Sequence, residues 1–238
     1  RRLEVLFLGD NGHHKPAERV PQIMQALGPR GVNITYTANP DCLHNGILDN
    51  FDALLIYANI SQISREQEQG LLKYVHGGGA FLPIHCASYC FLNSIQYVKL
   101  VGGQFKSHGT GTFNTRIEKP GHPVMKGFKG FETWDETYIH HKGTDDRNIL
   151  QTRQDEPWTW TREPGKGRVF YTAYGHDART WGNPGFHELV YRGLLWAIND
   201  TTRSTFLKTV LPKLVRREGD LVPNYERRPG GIKVHEPL

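Results

Sequence analysis

The stretch Gly77-Gly78-Gly79-Ala80-Phe81-Leu82-Pro83-Ile84-His85-Cys86-Ala87 decides the fold. Three glycines stop the segment before them, and the apolar run from Ala80 to Ile84 lacks the alternation of a half-exposed strand. It reads as a strand buried on both faces that ends on His85, and Ala87 to Leu92 then predicts the first turns of a helix. Upstream, Ser64 to Gln67 has the S-x-x-Q form of a capping box, and Leu71, Leu72 and Val75 supply one apolar helical face. Before that helix, Phe51 to Tyr57 is a further buried-strand candidate. Strand, helix and strand at this spacing imply parallel pairing, with helices on both faces of the sheet.

The pattern extends in both directions. Leu3 to Leu8 is an apolar run closed by Gly9-Asp10-Asn11-Gly12, followed by helical spacing at Val20, Ile23, Met24 and Leu27 with Pro16 in the first turn. Val32 to Thr37 alternates as a strand. Gly102 to Gly130 reads as loops and short extended pieces over the strand ends, among them Thr112 to Glu118. Asn148 to Thr152 and Arg168 to Tyr174 are later strands, and Gly185 to Asn199 a helix with Leu189, Val190, Leu194 and Ala197 as its buried stripe. The expectation is one α/β domain over residues 1–200 with a mostly parallel sheet. Residues 201–238, with Pro212, Pro223, Pro229 and Pro237 among charges, are expected to form a tail that wraps the domain or stays flexible.

Composition narrows the function classes. The 238 residues are 37% hydrophobic and 22% charged, which is ordinary globular composition, and the mean hydropathy is −0.54. No apolar run approaches the roughly 20 residues of a membrane-spanning helix. The net charge of +5 gathers in Lys213, Arg216, Arg217, Arg227, Arg228 and Lys233, without the basic stripe interleaved with aromatics that nucleic acid requires. Three cysteines are too few for a disulfide framework and too scattered for structural zinc. A chain that begins Arg1-Arg2-Leu3 suggests processing, so an exported or periplasmic protein is expected. A homo-oligomer is left open.

The 12 histidines are the chemical signal. His13 and His14 follow the first strand, His85 ends the strand after the triple glycine, and His176 follows Arg168 to Tyr174. If the strands are parallel, three strand ends deliver imidazoles to the one edge where such sheets bind ligands.

Ile84-His85-Cys86-Ala87 resembles the nucleophile elbow of class I glutamine amidotransferases, and Tyr174-Gly175-His176-Asp177 sits where that superfamily keeps its catalytic histidine. A histidine stands where the nucleophilic cysteine belongs, so glutaminase chemistry is not expected. Over about residues 3–199 the chain is similar to the trehalose-utilisation (ThuA-like) family of that superfamily. The resemblance rests on Gly12-His13-His14, Gly77 to His85, Gly102-Gly103-Gln104-Phe105 with His108, and His122-Pro123-Val124. It continues through Asp135-Glu136-Thr137-Tyr138, Pro157-Trp158-Thr159-Trp160, Gly165 to Tyr171 before His176, and Trp196-Ala197. It implies a flavodoxin-like three-layer sandwich, a site at His85, and an enzyme that handles oxidised (3-keto) disaccharides or glycosides.

A ketone at C3 of a sugar acidifies the proton at C2, so a base can remove it and the aglycone at C1 can depart by elimination or the sugar can isomerise. That chemistry needs a base, an acid and enolate stabilisation. His85, Glu136 and His176 are the catalytic candidates. His13, His14, His108, Asp135, Tyr138 and Trp181 are the candidates for holding the sugar, Trp181 by its flat face. A divalent metal such as Zn would find ligands in His14, His85 and His176. No Gly-x-Gly-x-x-Gly fingerprint is present, so no nucleotide cofactor is expected. The competing expectation is a carbohydrate- or partner-binding module of the same fold without chemistry.

Overall fold

The computed structural model describes residues 1–44 and 46–209. Its strands are β1 (Leu3–Leu8), β2 (Val32–Thr37), β3 (Ala53–Ile56), β4 (Ala80–Pro83), β5 (Gln104–Phe113), β6 (Arg116–Ile117), β7 (Thr133–His141), β8 (Asn148–Arg153), β9 (Glu156–Arg162) and β10 (Arg168–Thr172). Eight of them form one sheet in the order β2-β1-β3-β4-β10-β9-β8-β6. The first five in that order are mutually parallel, and β9, β8 and β6 extend the sheet by antiparallel pairing. β5 and β7 form a separate antiparallel ribbon in which His108 lies opposite Tyr138 and Thr110 opposite Glu136.

The apolar runs explain the centre. Every residue of β3 and β4 is buried, as strands covered on both faces must be, while the edge strand β2 is largely half-buried. The helices are α1 (Pro16–Leu27), α2 (Arg65–His76), α3 (Ile95–Val101), α4 (Ala178–Trp181), α5 (Pro184–Ala197) and α6 (Asp200–Thr209). α1 packs with α4 and α5, and α2 with α3, giving the outer layers of an α/β three-layer sandwich. The capping box at the start of α2 is formed, with the Ser64 hydroxyl accepting from the Gln67 N–H and the Gln67 amide oxygen accepting from the Ser64 N–H.

Three expectations change. Residues 85–89 make a 3-10 turn instead of opening an α-helix, and α3 begins only at Ile95, because Phe91 takes a left-handed φ of +52° that breaks any helix there. The segment after Gly102, expected as loops, carries the ten-residue strand β5. Residues 200–209 are helical, and Phe206 is fully buried in the core. The remainder of the expected tail, residues 210–238, lies outside the described residues. Among the described residues no helix is long and apolar enough to cross a membrane.

Gly193 shows how closely α5 meets the sheet, since a Cβ there would lie 2.5 Å from the ring of Phe170, itself fully buried in β10. Helix propensity favours alanine by about 1 kcal/mol, but overpacking a closed core costs about 1 to 3 kcal/mol. Gly193→Ala should therefore lower the unfolding midpoint in a denaturant titration despite its helical position.

Candidate active site

The side chains converge at the carboxyl ends of the parallel strands. His85 directly follows β4 and its bridge residue Ile84, and it holds a left-handed φ of +48°. For a non-glycine residue that costs about 1 kcal/mol or more. The elbow is thus kept although its residue is a histidine. The conformation is held from both sides: Nδ1 lies 2.7 Å from the Ala173 carbonyl, and the His85 carbonyl accepts from Ser88 Oγ at 3.0 Å and Tyr171 Oη at 3.3 Å. A carbonyl only accepts, so Nδ1 carries the hydrogen and the lone pair of a neutral His85 is on Nε2.

His176 reaches the same place on a loop that only glycine permits. Gly175 has φ +135°, and a Cβ on it would stand 3.2 Å from His85 Cβ. His14 is brought in by the turn after β1 and is only 4% exposed. The ring centres of His14, His85 and His176 are 5.1 to 5.7 Å apart.

Glu136 comes from the ribbon. Its Oε2 is 3.3 Å from His85 Nε2, and its Oε1 is 3.2 Å from His176 Nδ1 and 3.5 Å from His108 Nε2. One ligand atom from each of His14, His85, Glu136 and His176 lies within 4.8 Å of all the others, so the cluster could hold a metal ion. The fit is supported by the nitrogens themselves: His14 Nδ1, His85 Nε2 and His176 Nδ1 are all buried without a hydrogen-bond partner. Three imidazole nitrogens converging on a carboxylate are a donor set that would suit a divalent cation. The Ala173 carbonyl fixes one tautomer as an outer-shell partner does.

Charge follows burial. Desolvation, helped by His85, His13 and His176, drives the His14 pKa down to about 2, so that ring stays neutral and keeps a lone pair. His176 is also lowered by burial, against the opposing pull of Glu136. Burial alone would raise Glu136, but contact with His85 and the imidazoles of His176 and His108 outweigh it and hold the carboxyl below its ordinary value. Cys86 is fully buried and its thiol is pushed well up, first by burial and then by Cys90, so it cannot stand in as a nucleophile.

Strand alternation separates residues that are adjacent in sequence. Glu136, Tyr138 and His140 share one face of β7; Asp135 faces the other way. Asp135 is fully buried and holds no position for a sugar hydroxyl. Its Oδ1 accepts from the N–H groups of Glu136, His176 and Asp177 at 2.9 to 3.1 Å, and its Oδ2 from the Gly175 N–H at 2.9 Å and Thr180 Oγ1 at 2.7 Å. Trp181 likewise offers no open face: it is 1% exposed, packs on Tyr57 and Phe186, and donates to the Gly175 carbonyl at 2.7 Å. Tyr138 stacks on His85 with ring centres 4.0 Å apart.

The cleft beside the cluster measures about 170 Å³ and is lined by His13, His14, Asn59, Tyr89, Phe105, His108, Glu136 and Tyr138. A larger cleft of about 590 Å³ lies at the opposite ends of β3 and β4, against Asp49, Asp52, Lys73 and Gly77 to Gly79. It holds none of the clustered groups, and ligands of parallel sheets bind at the carboxyl ends of the strands, so the smaller cleft is the candidate. Asn59, Tyr89 and Phe105 were not expected there. Asn59 follows β3 by three residues, and the strand-end logic applied to histidines would have found it.

Beneath the elbow runs a buried polar chain. Glu156 Oε1 meets His140 Nδ1 at 2.8 Å, His140 Nε2 meets Tyr171 Oη at 2.9 Å, and that hydroxyl reaches Ser88 Oγ at 3.1 Å. Burial lowers His140 against the opposing pull of Glu156, and Glu156 is lowered because contact with His140 outweighs its own burial.

A family model described as "ThuA: Trehalose utilisation" matches residues 4–197. Among solved structures, a ThuA-like protein of Parabacteroides merdae superposes with TM-score 0.72 at 18% identity, covering 83% of this chain and 90% of its own. One from Bacteroides uniformis gives 0.69 at 16% identity, covering 82% and 91%. The cold-adapted β-galactosidase of Rahnella sp. R3 gives 0.61 at 16% identity over 82% of this chain and 31% of that one. At these identities the likeness is one of fold. No curated protein matches the chain.

Two outcomes follow from the geometry. Asp135→Ala strands four backbone N–H groups and a hydroxyl, and at about 1 to 3 kcal/mol per buried unsatisfied group it should destabilise the protein by at least about 3 kcal/mol in chemical denaturation. His140, lowered from its ordinary 6.5 in the folded state, takes up a proton on unfolding, so stability falls as pH drops below about 6.5. His140→Gln should flatten the decline of the melting temperature between pH 7 and pH 5.

Proposed function

From the membership of this chain in the trehalose-utilisation (ThuA) family, we propose that it is an enzyme acting on oxidised (3-keto) disaccharides or glycosides, by proton abstraction next to the ketone followed by cleavage or isomerisation. One observation carries this reading. With Nδ1 committed to Ala173, His85 turns Nε2 toward the Glu136 carboxylate at 3.3 Å, and the unpartnered nitrogens of His14 and His176 stand beside the pair. A proton or a cation joins buried nitrogen and carboxylate in such a group, and three imidazoles converging on one carboxylate favour a cation.

A divalent metal such as zinc, held by His14, His85 and His176, would supply Lewis-acid polarisation of the keto oxygen and of a neighbouring hydroxyl. With those imidazoles serving as ligands, Glu136 takes the role of base. Its carboxyl, held ionised by its neighbours, removes the proton at C2 of the keto sugar, and the electron pair moves into the ketone to leave an enolate. His108, 3.5 Å from Glu136 and 40% exposed, passes the proton between that carboxyl and the oxygen departing from C1. Water then adds back across the double bond to complete hydrolysis, or a proton returns to carbon to complete isomerisation. His13, exposed at the mouth, and Tyr138 against His85 orient the sugar.

Protein purified without chelator should carry a stoichiometric divalent metal by elemental analysis and convert 3-keto-trehalose or another 3-keto-glucoside. His85→Ala and His176→Ala should lose the metal. Glu136→Gln should lose about 10²-fold or more in kcat, the usual scale for removing a general base. Absence of both metal and product sinks the reading. Sugar binding that survives in the histidine variants with no turnover assigns the fold a binding role instead.

A further inference from the structure

His140 stands near the end of β7 and takes no part in the cluster, yet its side chain is only 2% exposed. Its ring meets those of Tyr171 and Trp160 edge-on, with centres 5.5 and 5.2 Å away, and those two rings stack on each other at 4.1 Å. A phenyl ring would fill such an aromatic corner without burying two polar atoms, so the nitrogens are the feature to explain.

Both nitrogens are used, and in a fixed order. Glu156 Oε1 accepts from the His140 backbone N–H at 2.9 Å and from Nδ1 at 2.8 Å. A carboxylate only accepts, so Nδ1 carries the ring hydrogen and Nε2 is left as an acceptor. Nε2 lies 2.9 Å from Tyr171 Oη, nearer than the His85 carbonyl at 3.3 Å, so the single hydrogen of that hydroxyl leans toward His140. Ser88 Oγ, 3.1 Å from the same hydroxyl, has its own hydrogen to give to the His85 carbonyl at 3.0 Å. In the opposite His140 tautomer, Nε2–H would donate to Tyr171 and turn the tyrosine hydrogen toward the elbow. The contact with Glu156 therefore decides how the carbonyl of His85 is held.

His140 is also the third of three residues on one face of β7 that address the same histidine. Glu136 meets its Nε2 at 3.3 Å, Tyr138 stacks on its ring at 4.0 Å, and His140 reaches its carbonyl through Tyr171. One strand thus grips His85 at nitrogen, ring and backbone.

We infer that His140, with Glu156 and Tyr171, is a positioning residue for His85: the fixed His140 tautomer orders the hydroxyls beneath the elbow and so aims Nε2 into the cluster. The inference rests on His85 serving as a ligand or reacting group of that cluster, and it adds a relay that begins outside it.

Two measurements on the full-length protein test this. In metal-free protein labelled with nitrogen-15 histidine, in mildly alkaline buffer, NMR should show His85 and His140 each as a single tautomer with its hydrogen on Nδ1. Zinc affinity is read by competition with a chromogenic chelator. Tyr171→Phe removes one hydroxyl, and Glu156→Gln, which keeps every side-chain shape, lets His140 take either tautomer. Each should weaken zinc binding by about 10- to 100-fold, the scale of outer-shell partners, and speed solvent exchange of the His85 Nδ1 hydrogen. Glu156→Gln should in addition mix the His140 tautomers. Should one variant fail to fold, the other decides. A purely structural role would lower both melting temperatures and leave zinc affinity and the His85 signals as in wild type, and that result overturns the relay while the metal reading stands. Wild-type protein that binds no zinc removes the metal reading, and the His85 signals then decide alone: faster exchange in the variants keeps the relay, and unchanged exchange overturns it.

Discussion

The Asp135 carboxylate is the joint on which the site depends. The ribbon of β5 and β7 is not hydrogen-bonded into the main sheet, yet it delivers Glu136 to imidazoles that stand on that sheet's strand ends. Asp135 closes the gap by taking the N–H groups of Gly175, His176 and Asp177 and the Thr180 hydroxyl from the main-sheet side, together with the N–H of Glu136 from its own. Charge-assisted hydrogen bonds of this kind are about twice as strong as neutral ones. Glu136 and His176 are therefore placed relative to one another by a group that touches neither the cleft nor any ligand.

Around that joint the molecule divides its labour. The parallel strands contribute stiffness and three imidazoles, while the ribbon contributes the carboxylate and one wall. Buried aromatics serve as props: Trp181 and Tyr57 both donate to the Gly175 carbonyl at 2.7 Å, and Tyr171 ties the His85 carbonyl to the polar chain through His140. These groups stiffen the backbone on which the reactive side chains sit, as a preorganised site requires.

Much of this was legible in the residues. The unbroken apolar runs of β1, β3 and β4 and the Ser64–Gln67 box named the parallel core, and the positions of His14, His85 and His176 after strands named the edge. What escaped has physical reasons. β7 reads Thr-Trp-Asp-Glu-Thr-Tyr-Ile-His-His, a polar strand whose burial is satisfied by partners far away in sequence, so no periodicity betrays it. Asp135 and Glu136 look equivalent as neighbours, and only the pleat sends one to the structural joint and the other to the cleft. Trp181 looked like a sugar platform by type, but the tryptophan holds a loop, and the smaller aromatics Tyr89, Phe105 and Tyr138 line the cleft. The absence of a helix directly after His85 depends on the left-handed Phe91, which nothing in its side chain announces.

The left-handed backbone of His85 carries an implication for how such a site is maintained. A glycine at that position would relieve the local strain, but it would strand the Ala173 carbonyl and empty the space against Tyr138, so the turn and the ring hold each other in place. Ala173 fixes the ring, and Ser88 and Tyr171 fix the carbonyl behind it, so the direction of Nε2 is set by the backbone of the elbow and not by a freely turning side chain.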